Sequence, residues 1–301
     1  MSATTEIARP RAGEQAGRKT AAGPRKRRPL WLPLLLMVLF LVYSIAPVWW
    51  LFVSSSKNLS DLYQTNGLWF AHFNLGANIS QTLDYNNHIF VRWVWNSILY
   101  STLGAAGATV ISVAAGYGLA KFRFRGRGAL FAVTIGSSLL PGALLAMPLY
   151  LLFSKIGLVG SIWSLLIPYF VNPFCVYLGR VYADGSVPDE LLEAARLDGA
   201  GEFRIFTQIS WRLMATGAVT IFILDFIAIW NNFFLPLFML GGERSFPVIL
   251  GLYSWNEQVL QSQDMTNLVI TGSLLSIIPL AVFMISLQRY WRSGVLLGSL
   301  K

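Results

Sequence analysis

Six long apolar segments constrain the fold of this chain more than any other feature of its sequence. They cover residues 31–54, 97–120, 129–153, 162–179, 213–240 and 268–287. A helix needs ~20 apolar residues to cross the hydrocarbon core of a bilayer. Backbone groups within lipid must bond inside their own segment, so each run is expected to be helical. The sequence therefore predicts an all-α, polytopic membrane protein with six transmembrane helices.

Composition supports a membrane protein, argues against a soluble globular domain, and rules out intrinsic disorder. Hydrophobic residues make up 55% of the 301 residues and charged residues 12%, about half the ~25% charged share of an ordinary soluble domain. Intrinsic disorder throughout is also excluded, because disorder requires low hydrophobicity.

Few residues in this sequence could support catalysis. Cys175 is the single cysteine, His72 and His88 lack a metal-ligand spacing, and no Gly-Lys pair exists to form a Walker A loop. Asp225 is the only acid within the predicted spans, which contain no His or Lys. A membrane-embedded enzyme is therefore poorly supported, and we expect no metal and no cofactor on this chain.

Basic residues predict the orientation. With the N-terminus inside, the predicted inner segments hold nineteen Lys and Arg and the outer segments four, a strong positive-inside bias. Both termini are then cytoplasmic. Residues 1–30 are predicted to be a disordered, basic cytoplasmic tail, and residues 31–301 a transmembrane domain. The basic residues of the inner segments are expected to contact anionic membrane lipids. The sequence contains no recognisable nucleic-acid-binding motif, so a nucleic-acid partner is not expected.

The inner connection at 186–212 predicts two short helices joined by a turn. Ser186 is expected to cap the first, with Pro188 in its first turn. Asp198-Gly199 is a stop and turn signal, and Gly199 is expected at positive φ. The second helix is expected near Glu202, with an apolar stripe of Phe203, Phe206 and Ile209. Residue chemistry alone leaves a docking element and a merely interfacial helix pair equally open.

The loop also carries a recognisable pattern. Glu193-Ala194-Ala195, followed by Gly199 and then Ile209, resembles the EAA motif of permease subunits of bacterial ABC importers. The run 115–126, the pair Trp230-Asn231 and the C-terminal run 288–301 are similar to the MalG-like carbohydrate-uptake branch. This chain departs from the pattern at Trp211 and Arg212, where the family usually has Leu-Pro, so it lacks the proline that would break the helix before the fifth span.

The resemblance implies a mechanism and a set of partners. The chain would pair with a second permease subunit in the bacterial cytoplasmic membrane. Two ATPase domains would bind ATP and Mg²⁺, with none on this chain, and an extracytoplasmic sugar-binding protein would deliver the cargo. Residues expected to couple to the ATPases are Glu190, Glu193, Ala194, Ala195, Asp198, Gly199 and Ile209.

Four residues of the fifth span form a second candidate site. Trp230 could stack on a sugar ring, Asn231 and Asn232 could bond its hydroxyls, and Asp225 should face the bundle interior or an aqueous path. The competing interpretation is that these groups bond neighbouring helices.

Two alternatives concern the transported compound and the energy source. The same importer class could carry a polyol or glycerol phosphate, although phosphate would favour Arg or Lys in the spans. An ion-coupled secondary carrier is less favoured, because it would more often show several carboxylates within the membrane.

Overall fold

A computed structural model describes residues 31–298 of the chain, and side chains up to residue 288. Within that range every regular element is helical. The α-helices are α1 Trp31–Ser55, α2 Leu59–Gln64, α3 Leu75–Lys121, α4 Arg127–Ser138, α5 Gly142–Lys155, α6 Trp163–Tyr169, α7 Pro173–Ser186, α8 Asp189–Leu197, α9 Glu202–Arg204, α10 Trp211–Leu213, α11 Ala215–Trp230, α12 Phe234–Met239, α13 Val248–Gln258 and α14 Met265–Gly298. Ile205–Ser210 is a π-helical turn and Glu243–Ser245 a 3₁₀ turn.

The all-helical prediction is confirmed for the described residues, whereas the structure leaves the number of spans between four and six and does not settle the predicted six. Four helices are long and apolar enough to cross a membrane, and two bent pairs bring the number to six if each pair is one span. The pair α4–α5 bends by 104°, and the pair formed by Glu202–Leu213 and α11 bends by 75°. The predicted tail, 1–30, lies outside the described residues.

Helix α1 contains the boundary between two units, Met1–Ala46 and Pro47–Lys301. In the described part of the first unit, residues 31–46, every side chain is exposed. A helix that is apolar all round is typical of contact with lipid. The sites considered below all belong to the second unit.

In the second unit, α3 and α7 cross at backbone contact. A Cβ atom added to Gly116 would overlap the backbone of Gly179 and Arg180, and one added to Gly179 would overlap the Ser112 carbonyl. Small residues allow this approach, as in other membrane helix pairs. The crossing fixes α7, and so the start of the loop that follows it.

Two apolar cores flank this crossing. The first surrounds Trp93, Trp255 and Phe226. The second surrounds Val113, Leu192 and Ile205 and packs the 186–212 loop against α3, α7 and α11. The loop is therefore part of the folded core and not a loose connection.

Candidate functional site

Helix α8 starts two residues later in the chain than a Ser186 cap predicts. Ser186 ends α7, and Pro188 occupies the N-cap position with extended backbone, so α8 begins at Asp189. The predictions that Ser186 caps α8 and that Pro188 lies in its first turn are therefore wrong. The fixed φ of proline suits the residue before a helix as well as its first position. Asp189 and Glu190 then lie beside the positive end of the helix, where acids are favourable.

One face of α8 is buried and the other is free. Leu192 and Ala195 are 2% and 8% exposed and pack in the second core. Glu190, Glu193 and Ala194 are exposed. Glu190 and Glu193 are therefore accessible on this face, whereas Ala195 packs within the chain.

The turn after α8 has the geometry expected from Asp198-Gly199. Asp198 ends the helix, and Gly199 has φ +79°. The Gly199 amide donates to the Arg196 carbonyl and the Ala200 amide to the Ala195 carbonyl, both at 3.0 Å. These two bonds form a Schellman motif, in which glycine is the usual left-handed residue.

Replacing Gly199 by valine is expected to destabilise the loop by about 1–2 kcal/mol, because a β-branched residue is strained at positive φ. No atom lies within 4 Å of the added Cβ, so the effect is conformational and not a clash. Limited proteolysis between α8 and α9 would measure it. Gly201→Ala is the control, since Gly201 has φ −71° and equal space. Equal cleavage rates for Gly199→Val and wild type would contradict the turn.

The second helix of the loop begins at Glu202, as predicted, but its apolar face differs. Phe203 is 81% exposed, whereas Ile205 is fully buried. Phe206 and Ile209 are half-buried against the second core. The prediction that Phe203 belongs to the buried face is therefore wrong. The π-helical turn over Ile205–Ser210 changes which residues face inward. Ile209 packs within the chain.

The hinge before the fifth span exists without proline. Met214 leaves helical backbone geometry, with φ −85° and ψ 2°, and the chain bends by 75° there. Trp211 and Arg212 form the short α10 just before it.

Two ion pairs hold the loop. Lys121, at the end of α3, donates to Asp189 at 2.8 Å. Arg196 donates to both carboxylate oxygens of Glu202, at 2.6 and 3.3 Å, across the turn. The hydrogen bond and charge of Lys121 lower the pKa of Asp189, and the bond to Glu202 raises the pKa of Arg196. Asp189 therefore loses this pair only when the pH falls below its ordinary titration range.

The four polar candidates of the fifth span do not lie together. Asp225 is 3% exposed and accepts from Asn172 Nδ2 at 2.6 Å. Trp230 is buried in the first core and stacks on Phe226. Asn231 is exposed, and its Nδ2 donates to the Ile227 carbonyl. Asn232 Oδ1 accepts from the Leu235 amide.

A cavity of about 630 Å³ adjoins two of these residues. Its walls come from α5, from the break between α6 and α7, and from α11; it is called the α5–α7–α11 cavity below. Asp225 and Asn232 line it, together with Asn172 and Phe174, whereas Trp230 and Asn231 do not. Sequence reasoning missed Asn172 and Phe174, although Asn-Pro at 172–173 is a helix-start signal. The Asn172 side chain caps α7 by accepting from the Phe174 and Cys175 amides.

No group of three or more His, Cys, Asp or Glu residues within 31–298 is arranged to hold a metal ion. The candidate sites are thus an exposed acidic helix and a cavity with few polar groups. Together with four to six helices of membrane-crossing length, these features are typical of a multi-pass membrane protein.

Comparison with known proteins identifies the family. Residues 108–295, more than half of the chain, match the model of the binding-protein-dependent transport system inner membrane component. The chain belongs to this family and is a permease subunit of an ABC importer.

Individual relatives agree with this assignment. The chain is 30% identical to the arabinooligosaccharides transport system permease protein AraQ of Bacillus subtilis, over 90% of this chain and 95% of the relative. It is 26% identical to the sn-glycerol-3-phosphate transport system permease protein UgpE of Rhizobium meliloti, over 87% and 94%. A bacterial ABC transporter involved in alginate import has the same fold, with a TM-score of 0.75 and 23% identity over 87% of this chain and 95% of that one.

Proposed function

We propose that the chain crosses the bacterial cytoplasmic membrane six times, with both termini inside. Each bent helix pair then counts as one span. The excess of nineteen inner over four outer cations supports this orientation. It places α8 and the turn at Gly199 on the cytoplasmic side, where ATP is available.

Coupling to two partner ATPase domains is the role we propose for the 186–212 loop. The observation that carries this proposal is the exposed acidic face of α8, formed by Glu190, Glu193 and Ala194 on a helix whose other face is locked in the core. ATP and Mg²⁺ would bind on the ATPases, and this chain would move in response. Ala195, Gly199 and Ile209 would act by shaping the loop, and Asp198 by ending α8.

The path from the loop to the spans follows the contacts already described. Motion of α8 would reach α3 through the Lys121–Asp189 pair and α7 through the peptide that joins them. The bend at Met214 would let α11 tilt relative to the loop. A second permease subunit would complete the path across the membrane.

The proposed cargo is a sugar or oligosaccharide, delivered by an extracytoplasmic binding protein. AraQ supports a neutral oligosaccharide, whereas UgpE supports a glycerol phosphate as the alternative cargo. Asp225 and Asn232 would contact the cargo where they line the cavity. Trp230 and Asn231 lie outside the cavity: Trp230 packs in the first core, and Asn231 bonds to the Ile227 carbonyl of its own helix.

Affinity purification of the tagged chain from gently solubilised membranes tests the proposed function. A second permease and an ATPase should co-purify, and a sugar-loaded binding protein should raise ATP turnover. Recovery of the intact chain alone would contradict the ATPase coupling and favour an ion-coupled carrier.

A further inference from the structure

A groove between the end of α3 and α9 has the chemistry of a phospholipid site; it is called the α3–α9 groove below. We propose that it binds an anionic phospholipid of the cytoplasmic leaflet, with an acyl chain in the groove and the headgroup against Arg123 and Arg125. The proposal rests on the inner position given above to the 186–212 loop. It assigns to this chain a ligand separate from the cargo and from the ATPases.

The apolar part of the α3–α9 groove is a pocket of about 270 Å³ whose lining includes Tyr117, Phe122, Phe203 and Phe206. The centroid of the Tyr117 ring lies 5.1 Å from that of Phe206 and 5.8 Å from that of Phe122. Phe203 is 81% exposed, so the groove is open on its side. The pocket is smaller than the ~300–1,000 Å³ of sites that enclose a whole small molecule. It suits a length of acyl chain that continues into the bilayer.

The groove lies at the level where the membrane is expected to end. Tyr117 and Gly118, which form its α3 wall, fall at the inner end of the apolar segment 97–120. The opposite wall belongs to Glu202–Leu213, which is bent by 75° from α11. Because α11 crosses the bilayer in the proposed topology, this stretch lies close to the membrane plane. Aromatic residues at that level are typical of the membrane interface.

Three arginines follow directly after the groove in the chain. Arg123 and Arg125 are exposed, and Arg127 donates to the Phe122 carbonyl at 3.4 Å. None of the three forms an ion pair with a described residue. They are therefore available to the phosphate of a lipid headgroup.

The acids near these arginines are already neutralised within the chain. Asp189 pairs with Lys121 at 2.8 Å. Glu202, which lines the groove, is bonded at both carboxylate oxygens by Arg196. The surface beside the groove is therefore positive, and basic clusters at the inner face of a membrane attract anionic lipids.

Charge separates this groove from the surface proposed to contact the ATPase. The exposed face of α8 presents the carboxylates of Glu190 and Glu193 and suits a partner with cations. The groove presents aromatic rings and arginines and suits a partner that is apolar at one end and anionic at the other. The two surfaces therefore require partners of opposite charge.

Photoactivatable lipids test the site in the complete importer, reconstituted in phosphatidylcholine vesicles. A phosphatidylglycerol and a phosphatidylcholine, each with a diazirine in the same acyl chain, are added in turn, and adducts on this chain are mapped by mass spectrometry. Phosphatidylglycerol should label the groove about tenfold more than phosphatidylcholine does. Residues 38–46 of α1, which are exposed throughout, should show no such preference. Equal preference at the two places would overturn the proposal.

Matched variants separate the headgroup contact from the acyl-chain contact. Changing Arg123 and Arg125 together to glutamine should abolish the preference for phosphatidylglycerol, whereas changing both to lysine should keep it. Phe203→Ala should lower groove labelling by both lipids several-fold, because it removes an apolar wall. Phe234→Ala removes a ring that is 49% exposed but lies outside the groove, and it should have no effect. A preference that survives the double glutamine change would overturn the headgroup site.

The lipid site and the proposed function fail separately, because labelling is measured on this chain whether or not the importer turns over. A chain that is recovered without an ATPase but keeps the preference would contradict only the proposed function. An importer that transports sugar without the preference would contradict only the lipid site. Groove labelling that appears only after the ATPase is removed would assign the groove to the ATPase and overturn the lipid site.

Discussion

Glu193→Ala is expected to lower saccharide uptake by about tenfold or more while ATP turnover continues and the complex still assembles. Glu193 lies on the exposed face of α8, whereas the fold depends on the opposite face. Truncating one partner of a charge pair buried at an interface is costly, because the other charge stays desolvated. The measurement is the ratio of sugar transported to ATP hydrolysed in proteoliposomes.

Two comparisons separate coupling from general damage in this experiment. Glu193→Gln should keep part of the uptake, since its amide oxygen still accepts a hydrogen bond. Glu257→Ala removes an exposed acid on α13 and should leave the ratio unchanged. Uptake at the wild-type level in Glu193→Ala would show that this carboxylate has no coupling role.

Gly116→Val is expected to destabilise the folded protein by about 3 kcal/mol, at the upper end of the usual cost of overpacking. The added side chain meets backbone atoms of Gly179 and Arg180, which cannot turn away as a flexible side chain would. Helices α3 and α7 would have to separate, and the loop after α7 would move with them. The amount of protein in membranes and its melting temperature in detergent measure the effect.

The same helix provides the control for this prediction. Gly118 lies two residues further along α3, and nothing lies within 4 Å of its added Cβ. Gly118→Ala should therefore be neutral or slightly stabilising, because alanine favours helix more than glycine does. Equal melting temperatures for Gly116→Val and wild type would mean that the two backbones do not touch there.

Most of the fold could be predicted from patterns that depend only on residues close together in the sequence. Long apolar runs require helices in a bilayer, and Asp198-Gly199 requires a turn whatever surrounds it. The positive φ of Gly199 follows from the same reasoning and is confirmed. The predicted roles of Glu190 and Glu193 in coupling stay predictions, although both side chains are exposed.

The remaining features depend on packing. Helix α11 is apolar apart from Asp225 and two threonines, so no continuous polar stripe marks one face and the burial of Trp230 could not be read from its sequence. The π-helical turn and the bend at Met214 carry no proline or glycine signal. Asn172 and Asp225 are 53 residues apart, and only the folded chain brings them together.

Photo-crosslinking from α8 tests the central claim, that the exposed face of this helix contacts an ATPase. A benzophenone maleimide is attached to a cysteine replacing Glu193, in a Cys175→Ala background, and adducts are identified by mass spectrometry. The matched position is Ser80, which is exposed near the other end of α3. The account predicts ATPase adducts from position 193 and none from position 80. An assembled importer that gives no ATPase adduct from position 193, or gives one from position 80, would contradict it.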